Sequence, residues 1–325
     1  MEIKQTVSEL TVRDHLDHFL ARWSWKRNNH VVEPGLYALG KPTKESPVVV
    51  TANYTLSFDA LRSALKSIDC YILVINTYGI NVWCAAGKGT FGTDELVNRL
   101  AMTGLADVVT HKKLILPQLG APGVNAFDVT KRTGFKVEYG PVRADDLPAY
   151  LKASKATPEM RRVTFPALER IVLIPVELVA FIIPAILIAI AGFLTGGLIS
   201  ALAAVTAVMA GIILFPILLP YLPTKDYSMK GLCLGLLMAL PFAVYTYISH
   251  APATVWTFAS MLTFLLIMPP ITAYLALNFT GATPYPSRTG VRKEIYTYIP
   301  VMAVMAGLGV VILSITVALS LLKVI

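Results

Sequence analysis

The chain has 325 residues, 55% of them hydrophobic and 15% charged, with a formal net charge of +8. The apolar residues concentrate after Leu168, which excludes a wholly soluble protein, and many basic residues edge the apolar segments, where lipid headgroups account for them better than nucleic acid does. Three cysteines, Cys70, Cys84 and Cys233, are too few for a disulfide framework and suit a reducing compartment.

The first residues, Met1 to Gln5, mix acids and bases without an apolar core, so no secretory signal is expected and the front half should stay in the cytoplasm. From Thr6 to Trp25, apolar residues at helical spacing among charges predict one or two amphipathic helices. His15 and His18 lie one turn apart there; a metal pair is conceivable, but an exposed helix face is the plainer reading. Residues 47–54 predict a buried parallel strand whose carboxyl end is a candidate ligand edge. A helix is predicted over 57–68, capped by Ser57, then a second strand over 70–76, with Cys70 as a small buried residue.

After Thr77, Tyr78 and Gly79 comes the stretch Asn81 to Thr90, centred on Cys84 and rich in Ala and Gly. A helix capped by Thr93 should run to about Met102, succeeded by a strand over 113–117, a short helix over 125–132, a strand over 135–139, and a last soluble helix over 145–151. This alternation predicts an α/β fold, Rossmann-like with a mostly parallel sheet, over residues 1–153. The loops at 79–80, 87–89 and 118–123 should gather at one sheet edge.

A basic linker over 154–167 then leads to an all-α polytopic membrane domain over 168–325. Five apolar segments near the ~20 residues that span hydrocarbon are predicted at 168–191, 198–219, 231–248, 255–277 and 299–321. Arg161, Arg162, Arg170, Lys225, Lys230, Arg288, Arg292 and Lys293 fall on one side of these spans. By the positive-inside rule the expectation is a multi-pass protein of the cytoplasmic membrane, with the N-terminal domain inside and the C-terminus outside. Glu177 is the notable intramembrane carboxylate, with a structural role preferred to a functional one. No charged pair or inverted repeat supports a transport pathway.

Cys84 admits three readings: nucleophile, metal ligand or packed thiol. His111 is the nearest histidine in sequence and has nothing local to orient it as a base. Zinc or an iron–sulfur cluster would need further ligands nearby, whereas a metal held mainly by a macrocycle needs one axial thiolate. From the residues alone a packed thiol is the simplest of the three.

The run Asn81, Val82, Trp83, Cys84, Ala85, Ala86, Gly87, Lys88 resembles the signature of the mercury-methylating corrinoid proteins. Residues from Pro34 to Leu151 are similar to the corrinoid domain of the corrinoid iron–sulfur protein of acetyl-CoA metabolism, through 34–36, 51–54, 114–123, 134–135 and 139–142. The resemblance implies a cobalamin-type corrinoid beneath a short cap helix, with Cys84 as lower axial ligand to cobalt where the acetyl-CoA proteins typically carry Thr. It further implies a corrinoid-dependent methyltransferase that passes a methyl group from a cysteine-ligated methylcobalt to mercury(II), giving methylmercury. A methyl-folate-type donor acting through a separate methyltransferase and an iron–sulfur, ferredoxin-like reductant are the implied partners. Asn81, Trp83 and Lys88 carry over as cap residues; Thr51, Asn53 and the loop from Gly120 to Gly123 are the expected further corrinoid contacts. The alternatives are a membrane-anchored methyl carrier of acetyl-CoA metabolism and a corrinoid-binding sensor or transporter.

Overall fold

Two runs without a polar side chain on either face, Val48–Ala52 and Cys70–Ile75, can be strands only if helices cover both sides of them, and that requirement sets the architecture of the first half. The computed structural model describes residues 3–250, 252–283 and 285–322. The chain divides into two units, Met1–Val163 and Thr164–Ile325.

In unit 1 six strands form one mixed sheet in the order β1-β2-β4-β3-β5-β6: β1 (Lys4–Thr6), β2 (Gly35–Leu39), β3 (Val48–Ala52), β4 (Cys70–Ile75), β5 (Lys113–Leu116) and β6 (Lys136–Tyr139). From β4 to β6 the sheet is parallel, with Val49 opposite Ile72 on one side and Ile115 on the other. β2 runs antiparallel to β4, pairing Tyr37 with Ile72, and β1 runs parallel to β2. Neither β1 nor β2 is expected from the sequence, because Lys4–Thr6 holds no apolar residue and Gly35–Leu39 opens on glycine and holds no β-branched residue.

The helices are α1 (Val12–Trp23), α2 (Thr55–Ala64), α3 (Val82–Lys88), α4 (Thr93–Thr103), α5 (Leu105–Val108), α6 (Ala126–Thr133) and α7 (Leu147–Ala153). Phe58, Leu61 and Leu65 from the α2 segment and Leu147 and Tyr150 from α7 pack on the face carrying Val49, Ile72 and Ile115. Leu96, Leu100, Leu105 and Val129 pack on the opposite face, against Val50, Leu73 and Leu114. Because β4 and β5 lie on either side of β3, strand order reverses there, and α/β sheets open a crevice at the carboxyl ends of such strands.

Two predicted caps differ. Tyr54, not Ser57, precedes α2, and Gly92, not Thr93, precedes α4; the Thr93 hydroxyl instead accepts from Asn125 N (2.9 Å), joining α4 to the start of α6. His18 is not on an exposed face: its Nε2 lies 2.7 Å from Asp59 Oδ2.

Unit 2 holds α8 (Ala167–Ile171), α9 (Ile174–Met209), α10 (Phe215–Leu218), α11 (Tyr227–Ser249), α12 (Val255–Phe279) and α13 (Arg288–Leu321). Among the described residues four stretches are long and apolar enough to cross a membrane, not the five expected: Ala167–Leu218, Tyr227–Ser249, Val255–Phe279 and Thr289–Leu321. The difference arises in the first, where the two spans predicted at 168–191 and 198–219 form one helical run of 52 residues, interrupted by non-helical backbone at Gly196 and Gly197. Helices α11 and α12 approach closely through Gly231 and Gly235, where an added Cβ would come 2.5 Å from Ala273 Cα and 2.6 Å from Pro269 Cα. Glu177 is buried and accepts from Asn278 Nδ2 (3.1 Å), in keeping with a structural role. The residues expected at the external C-terminus, Lys323 to Ile325, lie outside the described residues.

Candidate functional site

The polypeptide leaves β4 into a loop that two side chains from other elements hold in place. Asn53, just past β3 and buried, accepts through Oδ1 from Thr77 N (2.9 Å) and Gly79 N (3.2 Å), and the Thr77 hydroxyl lies 2.9 Å from the same oxygen. Glu95 of α4 accepts from Asn76 N (2.8 Å) through the carboxylate that also binds Arg99. A loop whose amides are satisfied this way presents the next element in one position.

That element is α3. Asn81 is its N-cap, accepting from Cys84 N at 2.9 Å, and Gly89 closes it in the left-handed region at φ 81°, donating to Ala85 O. Seven residues do not sustain a helix by propensity; this one is held by its two caps and by burial of Ala85 and Ala86 in the core. Val82, Trp83 and Cys84 are half-buried, and Gly87 and Lys88 are exposed. The β5–α6 loop presses on α3 from below: a Cβ on Gly123 would sit 2.1 Å from Phe91 O and 3.0 Å from Ala86 Cα, and one on Gly120 would sit 2.6 Å from the Phe91 ring.

The residues expected to contact a ligand therefore sort by position. Asn81 through Lys88 form one helix at the carboxyl edge of the sheet. Asn53, Gly120 and Gly123 reach the same edge, where Asn53 ties the loop and the two glycines make room for Phe91 and Ala86. Thr51 is buried within β3, and strand alternation puts it on the face of Val49, opposite the face of Val50 and Ala52 that packs with Ala85 and Ala86. Thr77, Glu95 and Phe91 are additions that sequence reasoning misses. A fully buried Thr and Phe flanking a Gly-rich turn leave little signal in sequence, but Glu95 in the first turn of a helix marks a carboxylate able to accept from a neighbouring loop.

The site's chemistry is that of one sulfur. Burial, reinforced by Asp69, pushes the Cys70 thiol up to about 12, leaving it a packed protonated group. His111 binds Ser46 O through Nε2 (2.8 Å) just ahead of β5, at the amino end of the parallel strands, whereas Cys84 lies past the carboxyl end of β4; the two cannot form a nucleophile–base pair. Among the described residues no group of three or more His, Cys, Asp or Glu could hold a metal ion. A lone sulfur on a helix of small residues fits a metal whose other ligands travel with it in a macrocycle. At the end of the same helix, the exposed Gly89 would carry a Cβ with nothing within 4 Å, so that end of α3 borders open space.

Comparisons with known proteins bear on unit 1. A family model described as CO dehydrogenase/acetyl-CoA synthase delta subunit (CdhD) matches residues 22–151. Curated relatives include the acetyl-CoA decarbonylase/synthase complex subunit gamma of Methanopyrus kandleri, 36% identical over 128 residues, covering 39% of this chain and 27% of the relative. The subunit gamma 2 of Methanosarcina mazei is 33% identical over 130 residues, covering 39% and 27%, and the subunit gamma of Methanocaldococcus jannaschii is 30% identical over 142 residues, covering 43% and 28%. The chain thus spans little more than a quarter of the length of these relatives. The matched family implies a corrinoid cofactor for unit 1.

Proposed function

We propose that unit 1 is a corrinoid-dependent methyl-transfer domain, anchored by the apolar helices of unit 2, and that Cys84 is its axial ligand to cobalt. The observation that carries this reading is the placement of Cys84: the one half-buried thiol of unit 1, on a short helix capped at both ends, at the edge where such sheets take ligands. A bound corrinoid supplies a cobalt centre that accepts and passes on a methyl group. The chain's own residues hold and tune that centre. Asn81 fixes the first turn of α3, Asn53 and Glu95 fix the loop before it, and Ala85, Ala86, Gly120 and Gly123 set its height over the sheet. Cys84 offers a strongly donating sulfur, Trp83 and Lys88 stand beside it, and Val82 anchors the helix to the core.

Two acceptors for the methyl group separate on evidence. The names of the relatives support the carrier of acetyl-CoA metabolism, and they support it more directly than they support mercury chemistry. The thiol favours mercury(II): Cys84 would hold the metal through a strongly donating thiolate, and a centre so held would supply a methyl group suited to a soft electrophile. We hold to mercury(II) as the proposed acceptor because Cys84 stands within an eight-residue motif that resembles that of the mercury methylators. A methyl-folate-type donor through a separate methyltransferase and an iron–sulfur reductant complete the proposed cycle, since Cys70, Cys84 and Cys233 cannot build a cluster. The first apolar run, broken at Gly196 and Gly197, is proposed to cross twice, giving five crossings with unit 1 on the cytoplasmic side.

The full chain, purified and loaded with cobalamin, tests both levels. The absorption spectrum should shift in Cys84→Ala, and methylmercury formation should fall by well over the roughly 10- to 100-fold that losing a supporting group around a metal costs. An unchanged spectrum sinks the axial ligand. Methyl transfer to an acetyl-CoA synthase subunit, without any to mercury(II), would establish the carrier instead.

A further inference from the structure

Helix α1 is turned inside out for a helix on a soluble domain. Its charged side faces the protein: His18 bonds Asp59 (2.7 Å), Asp14 lies 3.0 Å from Arg62 Nη2, Asp17 bonds His30 (2.7 Å), and Arg62 is itself buried against Asp59 and the carbonyls of Val7 and Glu9. Burial pushes the Asp14 carboxyl up, but hydrogen bonds from Thr11 and Arg62 overcome it and hold the group below its usual range, so the polar side of the helix is engaged with the protein. The opposite side carries Val12, Leu16, Phe19 and Trp23, at i, i+4, i+7 and i+11, all exposed, with Val12 at 86% and Trp25 just beyond at 64%. At 3.6 residues per turn these four positions fall within an arc of about 60°, and an exposed apolar stripe of this kind belongs against something apolar.

We infer that α1 docks on the surface of the lipid bilayer that takes up the helices of unit 2, with this stripe among the headgroups and upper acyl chains. Three observations favour lipid over a protein partner. Unit 2 begins at Thr164, directly after the last residue of unit 1, so the bilayer is always within tethered reach. Trp23 and Trp25 close the helix with the ring type that membranes hold at headgroup level, and exposed Arg13 and Lys26 suit anionic lipid. Finally, residues 12–21 of α1 lie outside the stretch matched by the CdhD family, as does all of unit 2. The inference does not depend on what chemistry Cys84 performs.

Tryptophan quenching in the intact chain tests it. The four tryptophans are Trp23, Trp25, Trp83 and Trp256. In a Trp256→Phe background, placed singly in nanodiscs of phosphatidylcholine and phosphatidylglycerol with brominated acyl chains, emission should be lost relative to unbrominated discs. That loss should disappear in the Trp23→Phe, Trp25→Phe variant and persist in Trp83→Phe. Leu16→Glu with Phe19→Glu should also remove it while leaving far-UV circular dichroism unchanged, since both positions are exposed. Free access of aqueous iodide to Trp23 and Trp25 with no bromine quenching would overturn the inference. So would protection that appears only with two chains per disc, or only when an iron–sulfur protein is added, which would assign the stripe to a second copy or to a protein partner.

Discussion

Asn53 shows how one side chain decides the position of another far along the sequence. Its single oxygen satisfies two buried amides, those of Thr77 and Gly79, and thereby fixes the approach to Asn81 and Cys84. In Asn53→Ala both amides lose their acceptor in a place water does not reach, at about 1–3 kcal/mol for each unsatisfied group. The expected outcome is a loss of roughly 2–6 kcal/mol, read as a lowered guanidinium midpoint of unit 1 in the full chain, accompanied by weaker corrinoid retention. Asn53→Asp keeps the acceptor and should recover most of the stability. From sequence Asn53 reads as a ligand contact, because a polar residue at a strand's carboxyl end usually faces the ligand. The rigid loop it serves becomes visible only when the loop's amides are matched with their acceptors.

At the scale of elements, α3 is a helix whose existence depends on its surroundings. Gly123→Ala should displace it, because the added methyl would meet Phe91 O at 2.1 Å, a contact that must be relieved by moving either the β5–α6 loop or the α3–α4 connection. Overpacking of this kind costs about 1–3 kcal/mol. Cobalamin affinity measured by equilibrium dialysis should fall with it, whereas Gly307→Ala, on α13 in unit 2 with nothing within 4 Å of the added Cβ, should leave affinity unchanged.

The strands β3 to β6 and helices α2, α4 and α6 are legible in the sequence because each carries its own apolar run or period. Strands β1 and β2 are not, since Lys4–Thr6 holds no apolar residue, Gly35–Leu39 opens on glycine and holds no β-branched residue, and their partners are distant in the chain. Thr6 to Trp25 does read as amphipathic, but periodicity gives a stripe without saying which side faces inward. That choice is made by Asp59, Arg62 and His30, more than ten residues away. In unit 2 the small-residue pair Gly231 and Gly235 is available in the sequence as a packing signal, and Gly211 likewise packs against Leu275.

Over the whole molecule, the two units solve different problems with the same residue type. In unit 1 glycines admit close approach around a site; in unit 2 Gly197 interrupts a 52-residue apolar run, which as one straight helix would measure about 78 Å against a hydrocarbon layer of about 30 Å. Gly197 sits at φ 66°, ψ −158°, a region open essentially to glycine alone. Gly197→Val should therefore cost about 1–3 kcal/mol and lower the thermal midpoint of the full chain in detergent. Gly307→Val, on α13 with nothing within 4 Å of the added Cβ, should leave it unchanged.

The edge strand β1 has a consequence for how the protein is made. Lys4 pairs with Tyr37, and the far edge of the sheet pairs Leu116 with Tyr139, so every backbone bond of the sheet joins residues that leave the ribosome before Ala167. Synthesis runs from the amino end and domains close as they emerge. The sheet, the locked loop and α3 thus have all their partners in hand before the first apolar helix needs an insertion machine. Cofactor loading and membrane insertion can then be successive events on one nascent chain, the first complete while the second is under way.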